Sequence, residues 1–373
     1  MTKNNIQISD FKKSNNFLPS KIQLAVTIKS FDLQAIRQRY IQSVKTGKGT
    51  VGSVEKRPSH LGGLAFLTIE NGKIINEEMP VQCKEPRGID IRKNTFAFSS
   101  ENKVIVTEND KTYTCENPWF SYIHTVKLSP FNPDLLLLSS SGLDTIFEIN
   151  FKIGEVVREW CAWENGFNIS YYKNEGTLFL TRNKEEAAQF KKEGLNYLYI
   201  ENPAEDFLPT AKRAAFINSV AYHPTDENKI LATFFHEGTV REIDLNSGKS
   251  TIVLDGMNSP HGGMMLNSNT LMVTNTRGGE VLLKQNDAIT AYDFKQLPGK
   301  PDYLQDKEWI QNSAFYGDNI ISIDSNRNSF VIFNPKTKEY ILVPYNENWA
   351  VQDIIAGDFN LLQTIDFQSL QKL

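Results

Sequence analysis

The stretch from Asn218 to Gly248, NSVAYHPTDENKILATFFHEGTVREIDLNSG, aligns without gaps on the stretch from His124 to Gly154, HTVKLSPFNPDLLLLSSSGLDTIFEINFKIG. The identical positions are Val220/Val126, Pro224/Pro130, Leu231/Leu137, Thr239/Thr145, Glu242/Glu148, Ile243/Ile149 and Gly248/Gly154. Both stretches contain short apolar runs separated by turn residues at intervals of about 8–12 residues, which is typical of antiparallel strands. Agreement over a whole unit predicts an internal structural repeat.

The same pattern recurs along most of the chain, in units of about 40–50 residues that each have room for four strands. Four-stranded units of this length are typical of β-propeller blades. The predicted innermost strands begin near Arg87, His124, Asn168, Asn218, His261, Asn312 and Gln352. We therefore predict an all-β protein, a seven-bladed β-propeller of four-stranded blades.

The two ends of the repeat region explain how such a ring closes. Residues 60–82 match only the second half of a unit, and residues 350–368 match only the first half. Together they form one blade, which closes the ring and hides two sheet edges. The predicted propeller therefore spans residues 60–373.

Residues 1–59 lie outside the repeats and form a predicted N-terminal extension. Within it, Asp32 is placed to cap a short helix. The apolar face of that helix consists of Leu33, Ile36, Tyr40 and Val44. We expect the helix to pack on one face or on the rim of the propeller, and the alternative is that residues 1–59 bind a protein partner.

The overall composition narrows the function classes. The chain has 373 residues and a formal net charge of −4, and a weakly acidic chain without a basic block does not favour nucleic-acid binding. The apolar runs are too short to span a bilayer, and the first residues lack the apolar core of a signal peptide. Three cysteines without paired spacing are typical of a reducing compartment. We expect a cytoplasmic protein that binds neither nucleic acid nor membrane.

The repeat alignment places three histidines on one face of the ring, beside the central channel. His124 and His261 begin innermost strands on roughly opposite sides of the channel, and His236 lies in a loop that reaches the same face. Imidazole groups exchange protons near neutral pH, so these three residues are candidate catalytic groups. His124 and His261 are also candidate ligands of a divalent metal ion, because imidazole binds transition metals.

Arginine and asparagine side chains are predicted around the same channel mouth. Their guanidinium groups match carboxylate and phosphate geometry, which indicates a small anionic ligand. The candidate substrate-binding residues are Arg87, Asn168, Arg182, Asn218, Arg277, Asn312 and Arg327. The alternative is structural: the arginines pair with nearby carboxylates, and the asparagines bond neighbouring loops.

The phrase MNSPHGGMMLNSNTLMVTNTRGGEVLL at residues 257–283 resembles the sugar-lactonase, strictosidine-synthase-like and NHL-type bacterial propellers. The lactonase-like members of that group hold a divalent cation on the axis with carboxylate and Asn ligands. Here Asn168, Asn218 and Asn312 match the Asn part, but the ring positions carry no matching Asp or Glu. Some propeller lyases use an axial histidine instead, and His124 and His261 fit that scheme better.

Two functional hypotheses follow. The first is an enzyme, a lyase, isomerase, cyclase or hydrolase, that acts on a small anionic metabolite or natural-product intermediate by histidine acid–base or metal-assisted chemistry. The second is a non-catalytic binding module or protein-interaction scaffold. A polar funnel lined by the residues named above favours the enzyme, and a broad exposed apolar patch favours the scaffold.

Overall fold

The computed structural model describes residues 2–45, 59–172, 176–206, 208–359 and 370. The strands of the first part are β1 (Thr2–Gln7), β2 (Lys12–Lys13), β3 (Ile22–Ile28), β4 (Leu61–Glu70), β5 (Lys73–Lys84), β6 (Ile89–Arg92), β7 (Thr95–Ser100), β8 (Lys103–Glu108) and β9 (Lys111–Glu116). Next come β10 (Ile123–Leu128), β11 (Leu135–Ser140), β12 (Thr145–Asn150), β13 (Glu155–Cys161), β14 (Ile169–Tyr172), β15 (Gly176–Thr181), β16 (Tyr197–Tyr199), β17 (Ile217–Tyr222), β18 (Lys229–Phe234), β19 (Thr239–Asp244) and β20 (Ser250–Leu254). The last are β21 (Pro260–Asn267), β22 (Thr270–Asn275), β23 (Glu280–Gln285), β24 (Ala288–Asp293), β25 (Ile310–Tyr316), β26 (Asn319–Asp324), β27 (Ser329–Asn334), β28 (Glu339–Pro344) and β29 (Val351–Gly357). Two α-helices accompany them, α1 (Leu33–Lys45) and α2 (Lys184–Glu193).

The described strands form seven sheets, which we number along the chain. Sheets 1, 2 and 4 are the four-stranded antiparallel units β6–β9, β10–β13 and β17–β20. Sheet 3 is the three-stranded unit β14–β16, sheet 5 is β21–β24 with β1 added, and sheet 6 is β25–β28 with β2 added. Sheet 7 has the order β29-β3-β4-β5. This arrangement confirms the prediction of a mostly β, propeller-like protein, and the strands of sheets 2 and 4 keep the predicted offset.

Sheet 7 contains strands from both ends of the chain, but three of its four strands come from the N-terminal part, whereas half of a blade was predicted from each end. The C-terminal part supplies β29, and its partner is β3, with Val351 opposite Ile28. The second strand of this sheet therefore comes from residues 22–28, which were predicted to lie outside the propeller. Strand β3 is an apolar run, IQLAVTI, that is buried along most of its length. The predicted second strand near residue 360 and beyond falls outside the described residues.

The N-terminal segment also extends two other sheets. Strand β1 adds in parallel to β24, and β2 adds in parallel to β28. The predicted boundary at residue 60 therefore does not separate the sheets from the N-terminal segment. Helix α1 begins as predicted, because the Asp32 carboxylate accepts a hydrogen bond from the backbone N–H of Ala35 at 2.9 Å. The side chains of Tyr40 and Val44 lie outside the described residues.

The innermost strands are irregular where they reach the channel mouth. Pairing with the second strand skips His124, Asn218 and Gln352 in sheets 2, 4 and 7. A β-bulge of this kind turns one side chain away from the regular alternation. The side chains of these three residues therefore leave the regular alternation of the strand, while the strand itself continues.

A hydroxyl side chain on the second strand lies beside each of six inner strands. These residues are Thr27, Ser99, Ser139, Thr233, Thr274 and Ser322. Ser139, for example, accepts the N–H of Thr125 directly after the bulge at 3.1 Å. Four of them, Thr27, Ser99, Ser139 and Thr233, accept a backbone N–H of an inner strand or of the residue just before it. Since a buried N–H without a partner is costly, these hydroxyls stabilise the irregular inner strands.

Hydrogen bonds join these six sheets from one to the next, between inner strands in five of the six links and from the second strand β22 to the inner strand β25 in the sixth. Between sheets 1 and 7, the N–H of Ile89 donates to the Asp353 carboxylate at 3.2 Å. Between sheets 2 and 1, the N–H of Leu128 donates to the Asp90 carboxylate at 2.7 Å. The remaining links are Thr125 to Asn218, Ser219 to Gly262, Thr274 to Ser313 and Asn312 to Asp353.

Sheet 3 does not lie between sheets 2 and 4, although its sequence was predicted to form a blade there. The inner strands of sheets 2 and 4 contact each other directly, because the Thr125 hydroxyl donates to the Asn218 carbonyl at 3.0 Å. The Ser141 hydroxyl donates to the Ile217 carbonyl at 2.5 Å. Leu137 and Val220 also share one apolar core. The prediction of seven blades is therefore not confirmed.

No helix among the described residues is long and apolar enough to cross a membrane.

We expect Ser99→Ala to destabilise the fold by about 2 kcal/mol, because it leaves buried backbone groups without a partner. The Ser99 hydroxyl accepts the N–H of Gly88 at 2.9 Å and donates to the carbonyl of Ile123 at 3.2 Å. Chemical denaturation measures the change, and Ser20→Ala at an exposed position is the control. Equal free energies of unfolding for the two variants would contradict the role given to the hydroxyl.

Candidate functional site

The channel mouth is built from the segments that precede the inner strands. Two residues before Arg87, His124, Asn218 and His261, the backbone has a positive φ: 41° at Glu85, 56° at Tyr122, 48° at Phe216 and 57° at Ser259. This left-handed conformation is uncommon for residues other than glycine, and strained backbone of this kind concentrates at functional sites. Its repetition in four sheets marks the mouth as the first place to search for a site.

Two arginines contact the same tyrosine ring at the mouth. The guanidinium carbon of Arg87 lies 3.8 Å from the centroid of the Tyr122 ring, and that of Arg213 lies 4.5 Å from it. Both arginines are buried. Arg87 also donates to the Glu85 carboxylate at 2.8 Å. Burial alone lowers the pKa of Arg87, but Tyr122 and Glu85 outweigh that effect and raise it, so the guanidinium stays charged.

A lysine from strand β3's end adds a third positive charge. The Lys29 ammonium donates to the side-chain oxygen of Gln352 at 2.7 Å and lies 5.7 Å from the centroid of the Trp309 ring. Gln352 is one of the bulged ring residues. Sheet 7 therefore contributes a cation to the mouth through both ends of the chain.

His124 is buried among these cations. Burial lowers its pKa well below 6.5, and the positive charges of Arg87, His261, Arg213 and Lys29 lower it further. Its ring lies 5.0 Å from that of Tyr122 between centroids. The Nδ1 atom of His124 is buried and has no hydrogen-bond partner among the described residues. His124 is thus a neutral imidazole at pH 7 whose buried Nδ1 makes no hydrogen bond within the described part of the chain.

His261 and His236 are joined to His124 by a group of aromatic rings. The His261 ring lies 5.3 Å from that of Phe235, and the Phe216 ring lies 5.5 Å from that of His124. Burial, with the charges of Lys29 and Arg87, lowers the pKa of His261 to about 3. Burial also lowers the pKa of His236 to about 4.

The remaining polar atoms of these two histidines are used differently. His261 Nδ1 is 2.8 Å from the Thr276 hydroxyl, whereas His236 Nε2 bonds the Thr210 carbonyl at 3.1 Å. His236 stacks behind Phe216 and Phe235. We therefore assign His236 a supporting position and keep His124 and His261 as the candidate reactive pair.

The asparagines do what the structural alternative predicted. Asn218 donates to the Pro260 carbonyl at 2.9 Å, and Asn312 donates to the Asp353 carboxylate at 2.6 Å. Both bonds connect neighbouring sheets. Asn168 belongs to sheet 3, where its carbonyl accepts the N–H of Leu180, and it does not join the ring. The structure therefore does not bring Asn168 together with the other candidate residues, because sheet 3 lies outside the row of neighbouring inner strands.

Two of the predicted arginines are held by carboxylates away from the mouth cluster. Arg182 pairs with Glu159 at 2.5 Å and with Glu164 at 2.7 Å. Arg327 is buried and pairs with Asp324 at 2.8 Å and with Glu308 at 3.4 Å. Since their guanidinium groups are committed to these ion pairs, the structure does not support them as ligand-binding residues.

Arg277 has a different location. It lines a cavity of about 220 Å³ beside the mouth, and its backbone N–H bonds the Asn258 carbonyl at 3.1 Å. The same cavity is lined by Gln305 and Lys307. Arg277 therefore remains a candidate ligand-binding residue, one step out from the channel.

The mouth does not fit the divalent cation that the lactonase resemblance implied. Among the described residues, no group of three or more histidine, cysteine, aspartate or glutamate side chains is placed to hold a metal ion. The charges acting on His124 are those of cations, which repel a further positive ion. We therefore base no chemical step on a metal at His124 and His261.

The sequence reasoning missed Lys29, Tyr122 and Arg213. Tyr122 lies two residues before His124, and Arg213 lies five residues before Asn218. An aromatic residue recurs just before inner strands, as in WFSYIH at residues 119–124 and AFIN at residues 215–218, and this was the available signal for Tyr122. Lys29 was hidden because β3 was not recognised as a propeller strand.

Comparison with solved structures shows the fold. A chain of the nidogen/laminin complex matches with a TM-score of 0.54 at 8% identity, covering 90% of this chain and 98% of that chain. A protein of unknown function from Bacteroides caccae matches with a TM-score of 0.52 at 12% identity, covering 90% and 99%. Virginiamycin B lyase from Staphylococcus aureus matches at 9% identity, covering 87% of this chain and 89% of that chain, with a lower TM-score of 0.45. We draw no conclusion from that match. No family model and no curated protein matches the sequence. The likenesses show a β-propeller-like fold and leave function to the site.

We expect His261→Gln to reduce the loss of stability in acid. The unfolded histidine takes up a proton near pH 6.5, whereas the folded one does so only near pH 3. The contribution of His261 to the free energy of unfolding is therefore fully present above pH 6.5. It decreases as the pH is lowered from 6.5 to 3, by up to about 1.4 kcal/mol per pH unit. Urea denaturation between pH 7 and pH 4 measures the slope, with His223→Gln as the control. Identical slopes for wild type and His261→Gln would refute the prediction.

Proposed function

We propose that the six sheets joined through their inner strands form a closed six-bladed ring, and that the mouth of this ring binds a small organic anion. The observation that carries the proposal is the group formed by the buried Arg87 and Arg213 and the partly buried Lys29 around His124. Such a concentration of positive charge attracts an anion.

The balance of charge at the mouth supports an anionic ligand. Of the carboxylates, Glu85 accepts a hydrogen bond from Arg87. Burial raises the pKa of Asp144, and the charge of the nearby Arg213 lowers it by less. Lys29 is bonded to the neutral amide of Gln352. Arginine and lysine donors within a poorly hydrated site hold carboxylate or phosphate oxygens strongly.

His124 gives the site a group that can exchange a proton with the ligand. A neutral imidazole nitrogen can accept a proton from a carbon or oxygen of the bound anion. The electron pair left on the ligand is then stabilised by Arg87 and Arg213. A step of this kind begins an elimination or an isomerisation, so lyase or isomerase chemistry is the reaction class we favour for the site.

The binding proposal is tested with a panel of small carboxylates and phosphate esters, first by thermal shift and then by calorimetry. We expect at least one to bind, and Arg87→Gln to weaken it by roughly 10-fold or more, as the loss of a charge-assisted hydrogen bond does. Arg182→Gln removes an arginine outside the mouth and serves as the control. Lys29→Gln provides a second measurement because Lys29 is only partly buried. Binding that neither mouth variant weakens would refute the proposal.

Ligand binding is expected to be coupled to proton uptake. A bound anion offsets the positive charges that lower the pKa of His124, so the complex holds its proton more tightly than the free protein does. Burial, which is the largest cause of the lowered pKa, remains in the complex, so the affinity should rise only as the pH falls below 6.5. Calorimetry in buffers of different ionisation enthalpy measures the uptake, which His124→Gln should remove. A pH-independent affinity in wild type would show that His124 does not respond to the ligand.

Protein recognition is the second candidate function, and sheet 3 favours it. Strand β14 is at the edge of this sheet, and its Ile169 and Tyr171 are exposed by 55% and 70%. An open edge strand with exposed apolar side chains is a common place for a partner strand to add. This surface is separate from the mouth, so the two functions are compatible.

A further inference from the structure

We propose that the groove between sheets 1 and 2 binds an extended acidic segment of a partner protein, and that an apolar side chain of this segment packs into the groove. The groove has a volume of about 290 Å³. Strands β6 and β10 start beside the mouth, whereas their last residues, Arg92 and Leu128, line the groove. The groove therefore lies at the opposite end of the inner strands, and its function is independent of the one proposed for the mouth.

The wall of the groove that belongs to sheet 2 is apolar and preformed. It is the loop between β10 and β11, in which Pro130, Phe131 and Pro133 line the groove. The ring of Phe131 is 38% exposed and lies edge-on to that of Tyr222, with 6.4 Å between centroids. The Ser129 hydroxyl accepts the backbone N–H of Phe131 at 3.2 Å and so holds the loop in shape. An aromatic ring that is already fixed loses little freedom when an apolar side chain packs on it.

The floor of the groove fixes the distance between its two walls. Leu128 and Thr95 line it, and both are buried. The N–H of Leu128 donates to the Asp90 carboxylate at 2.7 Å, which joins sheet 2 to sheet 1 at this point. The groove is therefore formed before a partner binds, and this lowers the entropic cost of binding.

The charges at the groove favour an acidic segment. Arg92 and Lys93 are exposed, and neither makes a hydrogen bond or an ion pair within the described part of the chain. The carboxylate in the lining is that of Glu108, which pairs with Lys152 at 2.9 Å. Lys152 also pairs with Asp134 at 2.8 Å. These five groups carry three positive and two negative charges, and the two cations without a partner both line the groove, so carboxylates are attracted to it.

Two amide side chains in the sheet 1 wall favour a peptide over a small anion. Asn94 follows β6 and Asn109 follows β8, and both line the groove. The N–H of Asn109 bonds the Asn94 carbonyl at 3.3 Å, which holds the two turns side by side. Both side chains are exposed, and among the described residues they have no hydrogen-bond partner. An amide group donates and accepts hydrogen bonds, so it matches the N–H and C=O groups of an extended backbone.

The test measures the binding of short fluorescent peptides to the full chain by anisotropy. In the first series a central Leu or Phe is flanked by Asp and Glu. The second series replaces the acidic residues by Lys, and the third replaces the central apolar residue by Ser. We expect a peptide of the first series to bind roughly 10-fold more tightly than its Lys and Ser counterparts, because it alone supplies both the charge and the apolar contact.

Two variants of the groove locate the binding site. The double change Arg92→Gln and Lys93→Gln should weaken the best acidic peptide by roughly 10-fold or more, because two charge-assisted contacts are lost. Phe131→Ser should bring the affinities of the first and third series close to each other. The control is the double change Lys191→Gln and Lys192→Gln on helix α2, which removes the same charge at an exposed position and should leave the affinity as in wild type.

Several outcomes would overturn the proposal. If no peptide of the first series binds, or if the Lys series binds equally well, the groove does not select an acidic segment. Equal affinity of the first and third series in wild type would mean that only negative charge is attracted. A wild-type affinity in the Arg92→Gln and Lys93→Gln protein would place the peptide elsewhere. Arg92 and Lys93 are exposed, so this variant should keep the wild-type melting temperature, and it decides the test even if Phe131→Ser does not fold.

Discussion

Each inner strand must turn a side chain toward the channel and still satisfy its own buried N–H groups, and the rest of the structure depends on how that is done. The bulges at His124, Asn218 and Gln352 break the regular pairing. Hydroxyls of the second strands, such as Ser139, supply the missing hydrogen bonds. Because several of these hydroxyls also reach the neighbouring sheet, the same groups that permit the bulges hold the sheets against each other.

Placing several positive charges close together in the mouth costs electrostatic free energy. Arg87 and Arg213 share one tyrosine ring. His124 stays neutral because burial, and then the neighbouring positive charges, lower its pKa. Buried charges in such number are tolerated only when each finds hydrogen bonds or an opposite charge. The stability that these residues forgo fits the proposal that the mouth serves to bind a ligand.

Much of the fold could be predicted from the sequence, because strands and turns repeat with a regular spacing. The gapless alignment of two units corresponds to two sheets with strands at matching positions, from β10/β17 to β13/β20. The number of blades could not be predicted in the same way. Sheet 3 has short strands and turn residues like a blade, and only its contacts show that sheets 2 and 4 meet without it.

The candidate site was predicted in part. Arg87, His124 and His261 begin inner strands, so the repeat alignment brought them to one face. Arg327 was misassigned because its partner Glu308 belongs to a segment that the alignment did not relate to it. The Thr181 hydroxyl shows the same limit: it ends a strand as the ring hydroxyls do, but it bonds Glu186 at the start of helix α2. Residue type and position were visible in the sequence, whereas the choice of partner was set by packing.

The pairing of β29 with β3 has a consequence for how the chain folds during synthesis. Lys29 and Gln352 bond each other although they are 323 residues apart, so a sheet that receives a strand from the first thirty residues is completed only by the last described strand. Until the final strand leaves the ribosome, β3 presents an open apolar edge, which is prone to wrong pairing. Contacts between such distant residues also slow folding. The emergence of β29 and its pairing with β3 therefore complete sheet 7.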